Sequence, residues 1–279
     1  MTSPLDAQPV GVEAAKRVTL ELMSVLGEFR DSITLVGGSA PPLMVGEQAA
    51  DRYSGTLDVD VVVNPIELPE ETYRTIAQLL GGRGYEQGPQ PFQWARVIDV
   101  AGQPVRVQVD LLAPRTERSG RAHRHEEIGG GMLARRLEGA ELLRVCYENK
   151  ELRGVLPDGR RNSVVVRVAR PAAFVVLKAL ALNGREKAKD SYDIDYVLAH
   201  VAGGPAVVGR EIARLGDVDP VRTAIDALGR KFNDADALGP ASVALYRELD
   251  GDSDEALRAR ALAFARVQRL LTAYHSTSR

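Results

Sequence analysis

Cysteine, long apolar runs and an excess of either charge are all scarce in this chain of 279 residues. The lone Cys146 has no partner for an internal disulfide, which fits a reducing cytoplasm. Apolar stretches such as 172–176 and 179–182 are short and separated by Lys178. They fall far below the roughly 20 apolar residues of a spanning helix, so no membrane segment is expected. The N-terminus carries Asp6 and prolines where a secretory signal would have a basic start and an apolar core. A net charge of -2 excludes a uniformly basic nucleic-acid surface but leaves room for a local patch. Internal repeats and low-complexity tracts are also missing. What is present, 44% hydrophobic and 27% charged residues, is a globular balance in a chain long enough for two domains.

Two halves follow from periodicity. Residues 11–29 have helical apolar spacing that ends near Gly27 and leads into a strand at 33–36. A second helix is predicted over 41–53, stopped by Ser54 and Gly55, and a third from Leu68 to about Leu80. Residues 92–99 and 103–112 alternate as a hairpin around Ala101 and Gly102, with Val105, Val107, Val109 and Leu111 on one face and Arg106, Gln108 and Asp110 on the other. Residues 142–148 and 163–168 read as strands flanking a turn at Pro157, Asp158 and Gly159. From 170 onward, 171–182, 188–201, 207–215, 220–232 and 254–274 are helical in pattern. The expected fold is an α/β N-terminal domain, 1–169, with a mixed sheet and flanking helices, followed by an α-helical C-terminal domain, 170–279.

The chain is organised around residues 34–64. A short strand breaks at Gly37, Gly38 and Ser39, and Asp58, Val59 and Asp60 open a second strand that continues through three valines. Alternation places Asp58 and Asp60 on one face. Two neighbouring carboxylates repel unless a cation lies between them, and hard oxygen donors with substrate phosphates suit Mg2+. The glycines permit close backbone approach, and Ser39 as an N-cap would present free amides to phosphate. Asp110, on a neighbouring strand, would complete a catalytic trio that also serves as metal ligands. Together these residues read as a nucleotide site. Taken alone, an Asp-x-Asp pair is more often a strand-end turn than a metal site.

Two other segments carry charge in unusual places. Arg115, Arg118, Arg121, Arg124, Arg135 and Arg136, with His123 and His125, lie in a glycine-rich stretch that reads either as a mobile polyanion-binding loop or, given Glu117, Glu126 and Glu127, as a solvated connector. Lys178 rises from an apolar helical face formed by Phe174, Val175, Ala181 and Leu182. It either snorkels to water or reaches a phosphate, and under the second reading its replacement by Met costs activity and little stability. Asp190 and Asp193 share one side of the next helix, where Asp190 is either functional or simply stabilised by the helix dipole.

In this order, Gly37, Gly38, Ser39, Asp58, Asp60, Asp110, Lys178 and the run Lys187, Ala188, Lys189, Asp190, Ser191, Tyr192, Asp193 resemble the AbiEii-type nucleotidyltransferases, which include the MenT toxins. That family belongs to the DNA-polymerase-β-like nucleotidyltransferase superfamily. The resemblance spans about 35–197, and Phe232, Gly239 and Pro240 are similar to the family's C-terminal helices. It implies triphosphate binding by the Gly37, Gly38, Ser39 turn, with Lys187 assigned to the nucleotide beside it, Mg2+ on the paired Asp58 and Asp60, and assistance from Lys178 and Asp190 in a cleft completed by the helical domain. Asp110, added from the strand pattern, is the candidate to join the metal and to deprotonate or orient the acceptor hydroxyl. It further implies transfer of NMP from an NTP to an RNA acceptor, the tRNA 3′ end in particular, by a cytoplasmic toxin with a cognate antitoxin. Many members have an arginine two residues before the Thr that precedes the aspartates. Here Ser54 holds that place and Arg52 is the nearest arginine. The alternatives are a small-molecule nucleotidyltransferase of the aminoglycoside-modifying kind, against which the arginines of 115–136 weigh, and a non-catalytic nucleotide-binding module, against which the intact aspartates weigh.

Overall fold

The computed structural model describes residues 9–50, 52–64, 70–114, 125–129, 132–251 and 253–278. It divides into two units, Met1–Leu43 with Ser54–Ala169, and Met44–Tyr53 with Arg170–Arg279. Along the chain come α1 (Pro9–Val25), a 3-10 turn (Gly27–Ser32), β1 (Ile33–Val36), α2 (Pro41–Met44), α3 (Glu47–Ala50), β2 (Asp58–Val63), α4 (Glu70–Gly82), β3 (Tyr85–Gln87), β4 (Gln93–Val100) and β5 (Gln103–Ala113). They continue with β6 (His125–Gly129), β7 (Met132–Arg136), β8 (Tyr147–Val155) and β9 (Arg161–Ala169). Six helices then follow: α5 (Pro171–Gly184), α6 (Ala188–His200), α7 (Gly204–Arg214), α8 (Asp219–Lys231), α9 (Leu238–Tyr246) and α10 (Asp254–Thr277).

The first unit is a mixed sheet in the order β3-β4-β5-β2-β1-β9-β8, with the β6–β7 hairpin attached to β5. Parallel pairing of β2 with β5 and of β1 with β9 alternates with antiparallel pairing. The β4–β5 hairpin closes at Ala101 and Gly102, both with positive φ, as a two-residue turn matching strand twist requires. Val59, Val61, Val107, Val109 and Leu111 are fully buried on one face. Each stabilises the sheet by about 1.5–3 kcal/mol relative to exposure. A Cβ at Gly11 of α1 would collide with Leu57, which puts α1 on this valine face. Asp58, Asp60 and Asp110 therefore look away from α1.

In the second unit Tyr53, Tyr192, Tyr196 and Tyr246 form one buried cluster, and the Tyr196 hydroxyl donates to the Ala49 carbonyl. These contacts explain why Met44–Tyr53 groups with the helices and not with the strands flanking it in sequence. Among the described residues no helix is long and apolar enough to cross a membrane.

Four expectations need correction. The helix expected over 41–53 is two four-residue pieces, α2 and α3, interrupted at Val45 and Gly46, a β-branched residue followed by glycine. Residues 140–144 form a 3-10 turn, so the strand expected from 142 starts at Tyr147. The stretch read as a loop through 136 contains β6 and β7, and β7 pairs in parallel with the end of β5. The helix α9 and the short strand β3 were not anticipated by periodicity.

Candidate active site

β1 and β2 run antiparallel, so the end of β1 at Val36 faces Asp60, and the turn Gly37–Ser39 lies against the start of β2. Gly37 has φ +60, and a Cβ there would strike the Asp60 carboxylate, while a Cβ at Gly38 would overlap Thr56. Both glycines are thus required for the turn to nest against β2. Ser39 does not cap a long helix. Its hydroxyl points to the Asp58 carbonyl at 3.4 Å, and the helix that follows is only four residues long. A helix this short supplies little dipole, so the turn can offer phosphate only its close backbone approach.

β2 and β5 are parallel in a register that makes Asp60 and Asp110 partners. Asp58 is exposed, Asp60 half-buried and Asp110 buried. Burial pushes the Asp110 carboxyl above its ordinary range and Asp60 pushes it further, while Arg135, Gln108 and Gln93 pull the other way. Gln108 Nε2 donates to Asp110 Oδ1 at 2.9 Å, and Arg135 Nη2 lies 3.8 Å from Asp110 Oδ2. Arg135 was read from the sequence as part of a polyanion-binding loop, and the structure brings it to Asp110. Its signal was hidden because β7 joins the sheet only through pairing with a strand more than twenty residues earlier. Arg115, Arg118, Arg121, Arg124 and His123 lie outside the described residues.

Lys178, Asp190 and Lys187 belong to the second unit. Lys178 Nζ lies 2.7 Å from Asp193 Oδ2 and 3.1 Å from Asp190 Oδ1. Burial pulls its pKa down, but Asp193 and Asp190 outweigh burial and hold it above the ordinary lysine value. Arg185 also binds Asp190, Nε to Oδ2 at 2.9 Å. Lys189 donates to Asp193 at 3.0 Å and to the Tyr53 hydroxyl at 2.9 Å, and its ammonium lies 4.9 to 5.9 Å from the ring centres of Tyr53, Tyr192 and Tyr246. Burial lowers its pKa. Lys178 is therefore neither snorkelling to water nor a lone charge. Lys187 is exposed, and its carbonyl accepts from the Asp190 amide at 3.0 Å. Arg52 is exposed and groups with this unit.

A family model described as nucleotidyltransferase matches residues 15–202. The chain belongs to this nucleotidyltransferase family. The match covers the sheet and continues through α6, so this nucleotidyltransferase has both the carboxylate face and the Lys178 network inside the family region. Comparison with curated proteins finds no match.

Among the described residues, no three His, Cys, Asp or Glu side chains are gathered as a metal-binding group. Asp58, Asp60 and Asp110 share a face without forming a closed three-ligand cage. The donor chemistry nonetheless fits Mg2+, which takes one or two protein carboxylates and completes its shell with waters and substrate phosphates. The adjacent Asp60 and Asp110, mutually repulsive in the absence of a cation, are the residues of this nucleotidyltransferase best placed to hold it.

Proposed function

We propose that this nucleotidyltransferase transfers NMP from an NTP to a hydroxyl of an RNA acceptor, the tRNA 3′ end in particular, in a Mg2+-dependent reaction. On this reading it is the cytoplasmic toxin of an AbiEii/MenT-type pair, held in check by a cognate antitoxin. The observation that supports nucleotidyl transfer is the register pairing of Asp60 with Asp110 beside the Gly37–Ser39 turn. Bound Mg2+ would supply charge neutralisation at the triphosphate oxygens. Asp60 and Asp110 are assigned to hold it, with Asp58 joining from the same strand face. Gly37, Gly38 and Ser39 bring backbone amides close to the triphosphate. Asp110 also orients the acceptor hydroxyl for in-line attack on the α-phosphorus, with pyrophosphate leaving.

Incubation with each labelled NTP, Mg2+ and total RNA tests the proposal. Label should enter RNA and be lost when Asp60 is replaced by Asn. Label transferred to an aminoglycoside, with none in RNA, would replace the RNA acceptor by a small molecule. No transfer to any acceptor would favour a non-catalytic nucleotide-binding module.

A further inference from the structure

We infer that Arg135 binds the triphosphate of the NTP, a role that rests on the nucleotidyl-transfer reading and goes beyond it. Two steps of register bring it there. The antiparallel pairing of β4 with β5 ends at Gln93 and Asp110, and β7 takes up pairing with β5 just beyond, Leu112 opposite Arg135 and Ala113 opposite Arg136. Register partners in a sheet direct their side chains to the same face, and Leu112 shares its face with Asp110. The guanidinium accordingly lies beside the Asp110 carboxylate.

Its contact there is an ion pair without a hydrogen bond. At 3.8 Å from Asp110, Nη2 is beyond hydrogen-bond length. Its Nε is buried and, among the described residues, has no hydrogen-bond partner, although the side chain as a whole is 40% exposed. Arg160, at the β8–β9 turn of the same sheet, shows the contrasting case: Nε and Nη2 reach Asp158 Oδ2 at 2.9 and 2.7 Å. Among the described residues Arg135 keeps donors uncommitted, Nε included, while its Cζ lies 5.6 Å from the centre of the Phe92 ring. A planar cation with donors to spare, next to Asp110 of the Asp60–Asp110 pair that would hold a phosphate-bound metal, suits bidentate recognition of phosphate oxygens. Its neighbours set the class of ligand. Asp60 and Asp110 would repel a lone phosphodiester, whereas a metal-complexed triphosphate brings its own positive charge to them.

The test is calorimetric binding of inorganic tripolyphosphate to the full chain in Mg2+ buffer, with labelled-NTP transfer measured alongside. Arg135→Gln should weaken tripolyphosphate binding at least tenfold. Arg135→Lys, which keeps the charge and loses the fork, should fall between that variant and wild type. Unchanged affinity in Arg135→Gln, with wild-type transfer intact, overturns this inference alone. Wild-type protein that neither binds tripolyphosphate nor transfers label overturns the nucleotidyl-transfer reading and this inference with it. Should Arg135→Gln fail to fold, phenylglyoxal modification of the wild type decides: tripolyphosphate should protect Arg135, and equal modification with and without it overturns the role.

Discussion

Asp60 on β2 and Asp110 on β5 are register partners on parallel strands, and the second is buried while the first raises its pKa. Burial and repulsion both oppose ionisation of Asp110, and function accounts for keeping it. In metal-free protein above the ordinary carboxylate range, Asp110→Asn should therefore raise the melting temperature while abolishing transfer. Thermal melts in EDTA, with the labelled-NTP assay, check both halves. A lower melting temperature would reassign Asp110 to structure through Gln108 and Arg135.

Gly37 offers a second handle on the same geometry. Its φ of +60 costs about 1–2 kcal/mol for a residue with a side chain, and a Cβ would displace the Asp60 carboxylate. Gly37→Ala should lower stability by an amount of that order and cut transfer by about 10²-fold or more, the scale expected when a charge-stabilising group is misplaced. Gly27 has nothing near its Cβ position, so Gly27→Ala is the control and should leave transfer unchanged.

Much of this arrangement was legible in the sequence because local rules produce it. Alternation alone puts Asp58 and Asp60 on one face of β2 and buries Val59 and Val61, and the Ala101, Gly102 turn marks the β4–β5 hairpin. The 3.6-residue period marks α5, α6, α7, α8 and α10. What escaped depends on non-local contacts. β6 and β7 lie in a glycine- and arginine-rich stretch and are strands only because β5 offers β7 an edge beyond the end of β4, so Arg135 could not be placed. Residues 44–53 were assigned to the α/β half by chain order, while Tyr53 and Ala49 are claimed by Tyr192, Tyr196 and Asp193 of the helices. Lys178 was recognised as an odd lysine, but its two aspartate partners come from a different helix and leave no mark in the pattern around it.

That network reverses one expectation. Lys178→Met was expected to cost little stability, on the premise of a charge that leaves the apolar face. The Lys178 side chain is instead 13% exposed and paired with Asp193, which is fully buried. Removing one partner of a buried pair costs about 3–5 kcal/mol because the other charge is left behind. Lys178→Met should accordingly lower the melting temperature by several degrees or more, read by circular dichroism. A melt equal to that of wild type would mean that Lys189 alone suffices for Asp193.

Asp193 also sets the acid limit of the second unit. Burial raises its pKa, yet Lys178 and Lys189 outweigh burial and, with the hydrogen bond that the Tyr53 hydroxyl donates at 2.7 Å, hold it below the usual aspartate value. A carboxylate depressed in the folded state binds fewer protons there than in the unfolded chain. Its stabilisation is complete above the unfolded aspartate pKa, about 3.9, and is lost as pH falls from there through the folded value. Asp193→Asn should therefore melt well below wild type at pH 7, where the wild-type ion pairs are intact. The gap should narrow steadily below about pH 4 as the wild-type carboxylate takes up its proton. Parallel melts of the two proteins from pH 7 to pH 3 read this directly, and a gap that stays constant or widens in acid would show that Asp193 acts through packing and not through its charge.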